Sequence, residues 1–288
     1  MKRWKAILLA CLLCAAAACG GANNAANMVM MQDTTRNTML LPPDTEPEYG
    51  LTSLVEEKSY TAEDGTVLAE CAYTLLTLEV NNEDELSEDT ARRARQTAEN
   101  FNERMDKRRQ DAAAFGEELG NMARGVYEDG HLDYAYRNET RMSALLQGRI
   151  YSIRVSSSGY TGGAHPNSYT DSELFDLELG QFIDPAQVAD DPVTFQKGAA
   201  ELLLEKAREQ DEEIRSGYYP EYAEVISHWY DGTVLFDSEG MTVVYSPYEL
   251  GPYAMGTVEL KLSYDEITDL LGPGGLERLG LAAENTSE

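Results

Sequence analysis

The sequence predicts an α+β fold: antiparallel sheets with one long helix and a second, shorter helix packed on them. Three observations predict it. Strand-like runs come in groups joined by short turns, and one long stretch repeats its apolar residues in helical steps of three and four. The helices also fall between groups of strands instead of alternating with single strands, which is the pattern of segregated layers.

The first element is a hairpin. Residues 54–62 and 66–80 are strand-like and are joined by Asp64-Gly65, a two-residue hairpin signal. Cys71 falls inside the second run and reads as a buried apolar thiol. Ser87 then offers an N-cap, with Glu88 and Asp89 placed to complement the helix dipole. Ala91, Ala94, Ala98, Phe101, Met105, Ala112, Phe115, Leu119 and Met122 follow at helical spacing, broken only at Arg108. This gives one helix of roughly 35 residues with a narrow apolar seam. A coiled-coil seam is the alternative, but the small residues and Gly116, Gly120 and Gly125 favour a helix lying across its own sheet. Its outer face carries Arg92, Arg93, Arg95, Arg104, Lys107, Arg108 and Arg109, interleaved with Glu99, Glu103 and Asp106 in ion-pair register.

Beyond Gly130, residues 133–145, 149–158 and 169–179 read as strands, the last turning at Gly180 into Gln181-Phe182-Ile183. Asp191-Pro192 opens a second helix, Asp as cap and Pro at the first helical position, running to about Arg215. Residues 233–236, 241–246 and 256–262 are extended. Ser263 and Glu266 form a capping box for a short helix that Gly272-Pro273 stops.

The chain is 288 residues long, with a formal net charge of −28. Its first nineteen residues carry Lys2, Arg3 and Lys5, an uncharged stretch too short to span a bilayer, and Ala16-Ala17-Ala18 before Cys19. This matches a bacterial lipoprotein signal, with Cys19 as the lipid attachment site and the outer face of the cell membrane as the location. Cleavage there removes three cations and no acid, taking the net charge from −28 to −31. Residues 20–50 read as a flexible tether and 281–288 as a disordered tail. The folded part divides into modules 51–145 and 146–280. With Cys11 and Cys14 discarded and Cys19 acylated, Cys71 has no partner for a disulfide.

Such acidity excludes nucleic acid as a partner. Three histidines, His131, His165 and His228, lie far apart, and neither a nucleophile elbow nor a phosphate-binding loop occurs, so no cofactor, metal or catalytic residue is assigned. Carboxylate pairs are the one catalytic possibility that composition leaves, and a wall-modifying enzyme using them is the alternative reading.

Two stretches carry a family resemblance: Gly159-Tyr160-Thr161-Gly162-Gly163-Ala164-His165-Pro166-Asn167, running into Phe175-Asp176-Leu177, and Tyr245-Ser246-Pro247-Tyr248-Glu249-Leu250-Gly251-Pro252-Tyr253-Ala254-Met255-Gly256. They resemble the RsiV-like extracytoplasmic domain family. Residues 54–122 resemble, more loosely, the module that precedes the deacetylase domain of PdaC. The resemblance implies a non-catalytic binding or sensing domain whose partner is a cationic protein such as lysozyme, or a cell-wall glycan. Unlike RsiV, the chain has only five residues before its apolar stretch, and it lacks the deacetylase domain of PdaC. The candidate binding residues are Tyr160, Gly162, Gly163, His165, Asn167, Tyr248 and Tyr253. Eight tyrosines between 218 and 264 suit a contact surface, although core packing would absorb most of them; His228-Trp229-Tyr230 reads as a core anchor.

Overall fold

A computed structural model describes residues 45–281. The expected signal segment with Cys19, the tether as far as residue 44, and the tail from 282 lie outside the described residues.

Six strands form one sheet in chain order. β1 (Tyr49–Thr61) and β2 (Val67–Val80) make the hairpin that Asp64-Gly65 signals, with Gly65 at φ 88°. Helix α1 (Glu88–Glu128) crosses one face and delivers the chain to β3 (Tyr136–Gln147). A helical crossover brings a strand back in the same direction, so β2 and β3 pair in parallel, over residues 69–73 and 136–140. β3, β4 (Ile150–Tyr160), β5 (Asn167–Asp176) and β6 (Gln181–Ile183) then continue antiparallel. Residue 145, where the two expected modules meet, lies within β3, which pairs with β4 along its length. Both modules therefore share this sheet.

Where β2 leaves β3, its backbone needs new partners. Asn102 on α1 supplies them: Leu78 N–H donates to Asn102 Oδ1 at 2.8 Å, and Asn102 Nδ2 donates to the Leu78 carbonyl at 2.9 Å. The carboxamide substitutes for a neighbouring strand.

Ser87 caps α1 by accepting from the Thr90 N–H, as its position predicts. The helix is longer than the seam suggests, 41 residues, because it continues past Met122 to Glu128. Two of its glycines are points of close approach. A Cβ on Gly120 would lie 2.7 Å from the ring of Tyr60, and one on Gly116 would lie 3.0–3.2 Å from the Tyr60 and Tyr73 hydroxyls and Cys71 Sγ. Under this contact Cys71 is buried, as expected; burial raises its thiol pKa and pushes the Tyr73 hydroxyl up to about 12, so both stay protonated at neutral pH. Further toward the helix N-terminus, Phe101 and Met105 pack on Leu78, Ile153 and Phe175, with the Phe101 and Phe175 rings edge to face at 5.2 Å.

The basic face of α1 departs from expectation at Arg104 and Arg108. Instead of pairing along the helix, both reach across to β5: Arg104 Nη2 lies 2.6 Å from Glu173, and Arg108 Nη2 is 2.7 Å from Glu173 and 2.8 Å from Asp171. The shift at Arg108 that breaks the seam is what turns its side chain toward the sheet.

A second sheet, β7 (Thr233–Phe236), β8 (Gly240–Tyr245) and β9 (Val258–Ser263), is antiparallel. Its core is shared with α2 (Pro192–Glu209), α4 (Tyr222–Ser227), α5 (Tyr264–Arg278) and the inner face of β4 and β5. Trp229 sits fully buried there, edge-on to Phe195. The second helix ends earlier than its expected limit near Arg215. Gln210 is extended, and a separate turn, α3 (Glu212–Arg215), restarts at Asp211, carrying the chain to Tyr219, whose N–H donates to the Leu250 carbonyl. Gly272, at φ 71°, does end the first part of α5, but Pro273 begins another helical stretch instead of stopping it.

The glycine contacts give opposite expectations along one helix. Replacing Gly120 by Ala drives a Cβ into Tyr60, at an overpacking cost of ~1–3 kcal/mol that exceeds the ~1 kcal/mol gain in helix propensity. Gly125 has nothing near its Cβ position, so Gly125→Ala keeps that gain. Urea unfolding should show G120A less stable and G125A more stable than the parent; a stabilised G120A would refute the close approach.

Candidate functional site

The two sequence stretches singled out above meet in space at an exposed patch. The first links β4 to β5. Gly162 and Gly163 take φ 112° and 105°, values natural to glycine, and Tyr160 donates its hydroxyl to the Gly163 carbonyl at 3.0 Å. The turn thereby presents His165. The second links β8 to β9. Ser246 begins a turn closed by the Glu249 N–H to the Ser246 carbonyl, with Pro247 and Tyr248 as its central residues. Tyr248 has φ 75°, the one non-glycine residue with positive φ among the described residues. Pro followed by a positive φ is the arrangement of a type II turn, where glycine normally takes the second place.

His165 and Tyr253 stack, with ring centroids 3.5 Å apart and planes inclined by 11°. The His165 Nδ1 lies 3.0 Å from the Pro166 carbonyl and so carries the proton. That leaves Nε2 to accept from the Tyr248 hydroxyl at 3.3 Å. Tyr248 also borders Tyr253, centroids 5.7 Å apart, and is 54% exposed. An imidazole and two phenols, the phenols 83 and 88 residues beyond the imidazole in the chain, form one surface with rigid apolar area and polar edges. Such groups lose little entropy on contact, which suits recognition.

The remaining candidates have other roles. Tyr160 and Gly163 shape the loop, and Gly162 leaves space filled by the hydroxyl of Tyr134, whose ring stacks on Tyr160 at 5.2 Å. Tyr134 was not among the expected site residues; its proximity to Tyr160 arises only on pairing β3 with β4. Burial and the Tyr160 hydroxyl raise its pKa, keeping it a neutral prop for the loop. Asn167 does not join the patch. It opens β5 opposite Gly159, at the mouth of a cleft beside α1. Of the tyrosine-rich stretch, Tyr245 is buried and Tyr218, Tyr222, Tyr230 and Tyr264 pack against the core. Among the described residues no group of three His, Cys, Asp or Glu converges as metal ligands would, and no helix is long and apolar enough to cross a membrane.

Fold and patch together define an α+β domain with a two-loop aromatic surface. Residues 195–265 match the family model described as "Protein of unknown function (DUF3298)". The matched segment runs from α2 to the start of α5 and so holds Tyr248 and Tyr253, whereas His165 comes from outside it. A crystal structure of a DUF3298 family member from Bacteroides fragilis is similar at a TM-score of 0.57 and 14% identity, over 81% of this chain and 97% of that one. A second family protein, from Pseudomonas aeruginosa, aligns at a TM-score of 0.45 and 16% identity, over 79% of this chain and 96% of that one. No curated protein matches. The first of these likenesses concerns the fold.

The positive φ of Tyr248 separates stability from recognition. A left-handed backbone at a bulky residue costs about 1–2 kcal/mol that glycine avoids. Tyr248→Gly should therefore melt at or above the parent temperature while removing the outer third of the patch. A clear loss of thermal stability would show that the Tyr248 ring, not its backbone, governs this loop.

Proposed function

We propose that this chain is a non-catalytic binding module at the outer face of a bacterial membrane, anchored by a lipid on Cys19, whose partner is a cationic protein such as lysozyme. The observation that carries the reading is the convergence of His165, Tyr248 and Tyr253 from two distant loops, held by a turn that keeps Tyr248 at positive φ. A strained residue retained in an exposed position is understood most simply through what it contacts outside the chain. Net charge supports the choice of partner: −28 for the full sequence, or −31 after cleavage before Cys19, attracts a cationic protein over several ångströms and accelerates encounter. The resemblance of the two loops to the RsiV-like domain points to the same partner.

The test is capture of lysozyme by the protein at low and at moderate salt, beside His165→Ala and Tyr253→Ala. Binding that weakens with salt and falls about tenfold or more in either variant is expected. Absence of a complex at both salt concentrations removes lysozyme as the partner. Turnover of peptidoglycan by the same preparation, lost on replacing a carboxylate, would instead establish the wall-modifying alternative.

The anchor is tested separately. Metabolic labelling with palmitate should mark the parent protein and leave Cys19→Ala unlabelled; label retained in that variant would place the lipid elsewhere or exclude it.

A further inference from the structure

Along α1 the buried face shifts after Arg108. Gly116, Leu119, Gly120 and Ala123 settle against the β1–β2 hairpin, and this rotation leaves Phe115 and Met122 pointing past it, 46% and 51% exposed. The sheet opposite them cannot fill the gap. Beside Met142, Val155 and the exposed ring of Tyr169, β3, β4 and β5 present short polar side chains here, Asn138, Thr140, Ser157 and Asn167, with no side chain at all at Gly159. The result is a cleft of 580 Å³, within the range of roughly 300–1,000 Å³ typical of small-molecule sites.

Its polar floor is the unusual part. Asn138 is only 9% exposed, and its carboxamide forms no hydrogen bond with any described residue although it borders the cleft. Ser157, 7% exposed, shares a single hydroxyl contact with Thr140 at 3.3 Å. An amide placed this way at the edge of the cleft offers both donor and acceptor to whatever enters. The charges at the rim are neutralised by acids or bases of the chain itself, Arg108 by Asp171 and Glu173, Arg137 by Glu70 at 3.1 Å, and Asp111 by Lys107 at 3.6 Å, although Arg108 Nε makes no hydrogen bond. A phosphate or carboxylate would have to compete with Asp171, Glu173 and Glu70 for these arginines. A hydrocarbon chain would leave the amide and hydroxyls unpaired.

We propose that this cleft binds an uncharged saccharide. A sugar ring combines the two surfaces the cleft offers: an apolar C–H face to lie on Phe115 and Met122, and hydroxyl or acetamido groups to complete Asn138, Ser157 and Asn167. The site is separate from the His165 patch and does not depend on the partner assigned there.

The test is titration of the protein with N,N′-diacetylchitobiose, cellobiose and maltose, followed by isothermal calorimetry and by amide chemical shifts. At least one disaccharide should saturate, with shifts confined to β3–β5 and the second half of α1. Asn138→Ala and Phe115→Ala should weaken it about tenfold each. Gly159→Leu should abolish it, since a Cβ there meets Asn138 Oδ1 at 3.5 Å and Arg137 O at 3.6 Å, ordinary contacts, so the strand accepts the side chain while the cleft fills. His165→Ala and Tyr253→Ala should bind sugar like the parent. No saturation by any of the three at millimolar concentration, or equal binding by parent and Gly159→Leu, overturns the proposal. Displacement of a bound apolar dye by a fatty acid, with no response to sugar, would overturn it in favour of a lipid.

Discussion

The structure depends on a central strand that is covered on both faces. β4 sends Tyr151, Ile153 and Val155 toward α1, and Ile150 and Ser152 toward the second sheet. A strand in that position has no solvent to satisfy whatever lies above it, so the second sheet must bring its own hydrogen-bonding solution. It does so through hydroxyls. The free edge of β7 donates Val234 N–H to Ser172 Oγ at 2.7 Å and Phe236 N–H to Ser152 Oγ at 2.9 Å, while Thr233 Oγ1 donates to the Thr170 carbonyl. Serine in mid-strand is otherwise a poor core residue, yet Ser152 is fully buried. Each of these N–H groups, left unpaired, would cost about 1–3 kcal/mol.

This suture also builds the patch. Ser246, the last fixed point before the Pro247–Tyr248 turn, accepts the Thr170 N–H at 2.8 Å on the strand that begins just after His165. The β8–β9 loop is therefore pinned over the start of β5, and the stack of His165 on Tyr253 follows from that registration. At the far end of β5 a second constraint acts. Asp176, fully buried, accepts from the N–H groups of Glu178 and Leu179 and lies 3.3 Å from both Arg149 and Arg278. It ties the β3–β4 turn and the C-terminal helix to the same strand. Removing either arginine would leave half of a buried charge uncompensated, which is far more damaging than the pair is stabilising.

Patch and cleft lie on two sides of one short stretch, residues 157–169, where β4 and β5 rise beyond the layers that cover their other end. His165 leads to the loops of the second sheet, and Gly159 and Asn167 open toward α1. The polar, small-residue character of this stretch serves both. It cannot pack a core, and so it leaves backbone and side chains available at the surface.

Much of the architecture was legible from local chemistry. Asp64-Gly65, the Ser87 cap, Asp191-Pro192 and the Ser263–Glu266 capping box each act within a few residues, and each begins or turns an element where expected. The apolar periodicity of α1 likewise marked the helix as far as Met122, although Phe115 and Met122 turn out exposed. What the sequence could not decide was every feature that depends on a distant neighbour. The parallel join of β2 to β3, the reach of Arg108 to Asp171 and Glu173, Tyr60 as the partner beneath Gly116 and Gly120, and Tyr134 behind the Gly162 turn all require the sheet to be assembled first. Candidate site residues could be named from two motifs, but only the tertiary structure separated them into a surface patch, a loop support and a cleft mouth. The physical reason is that capping and turn preferences are fixed by backbone atoms a few bonds apart, whereas burial, close approach and unpaired polar groups belong to surfaces that exist only after the chain has closed on itself.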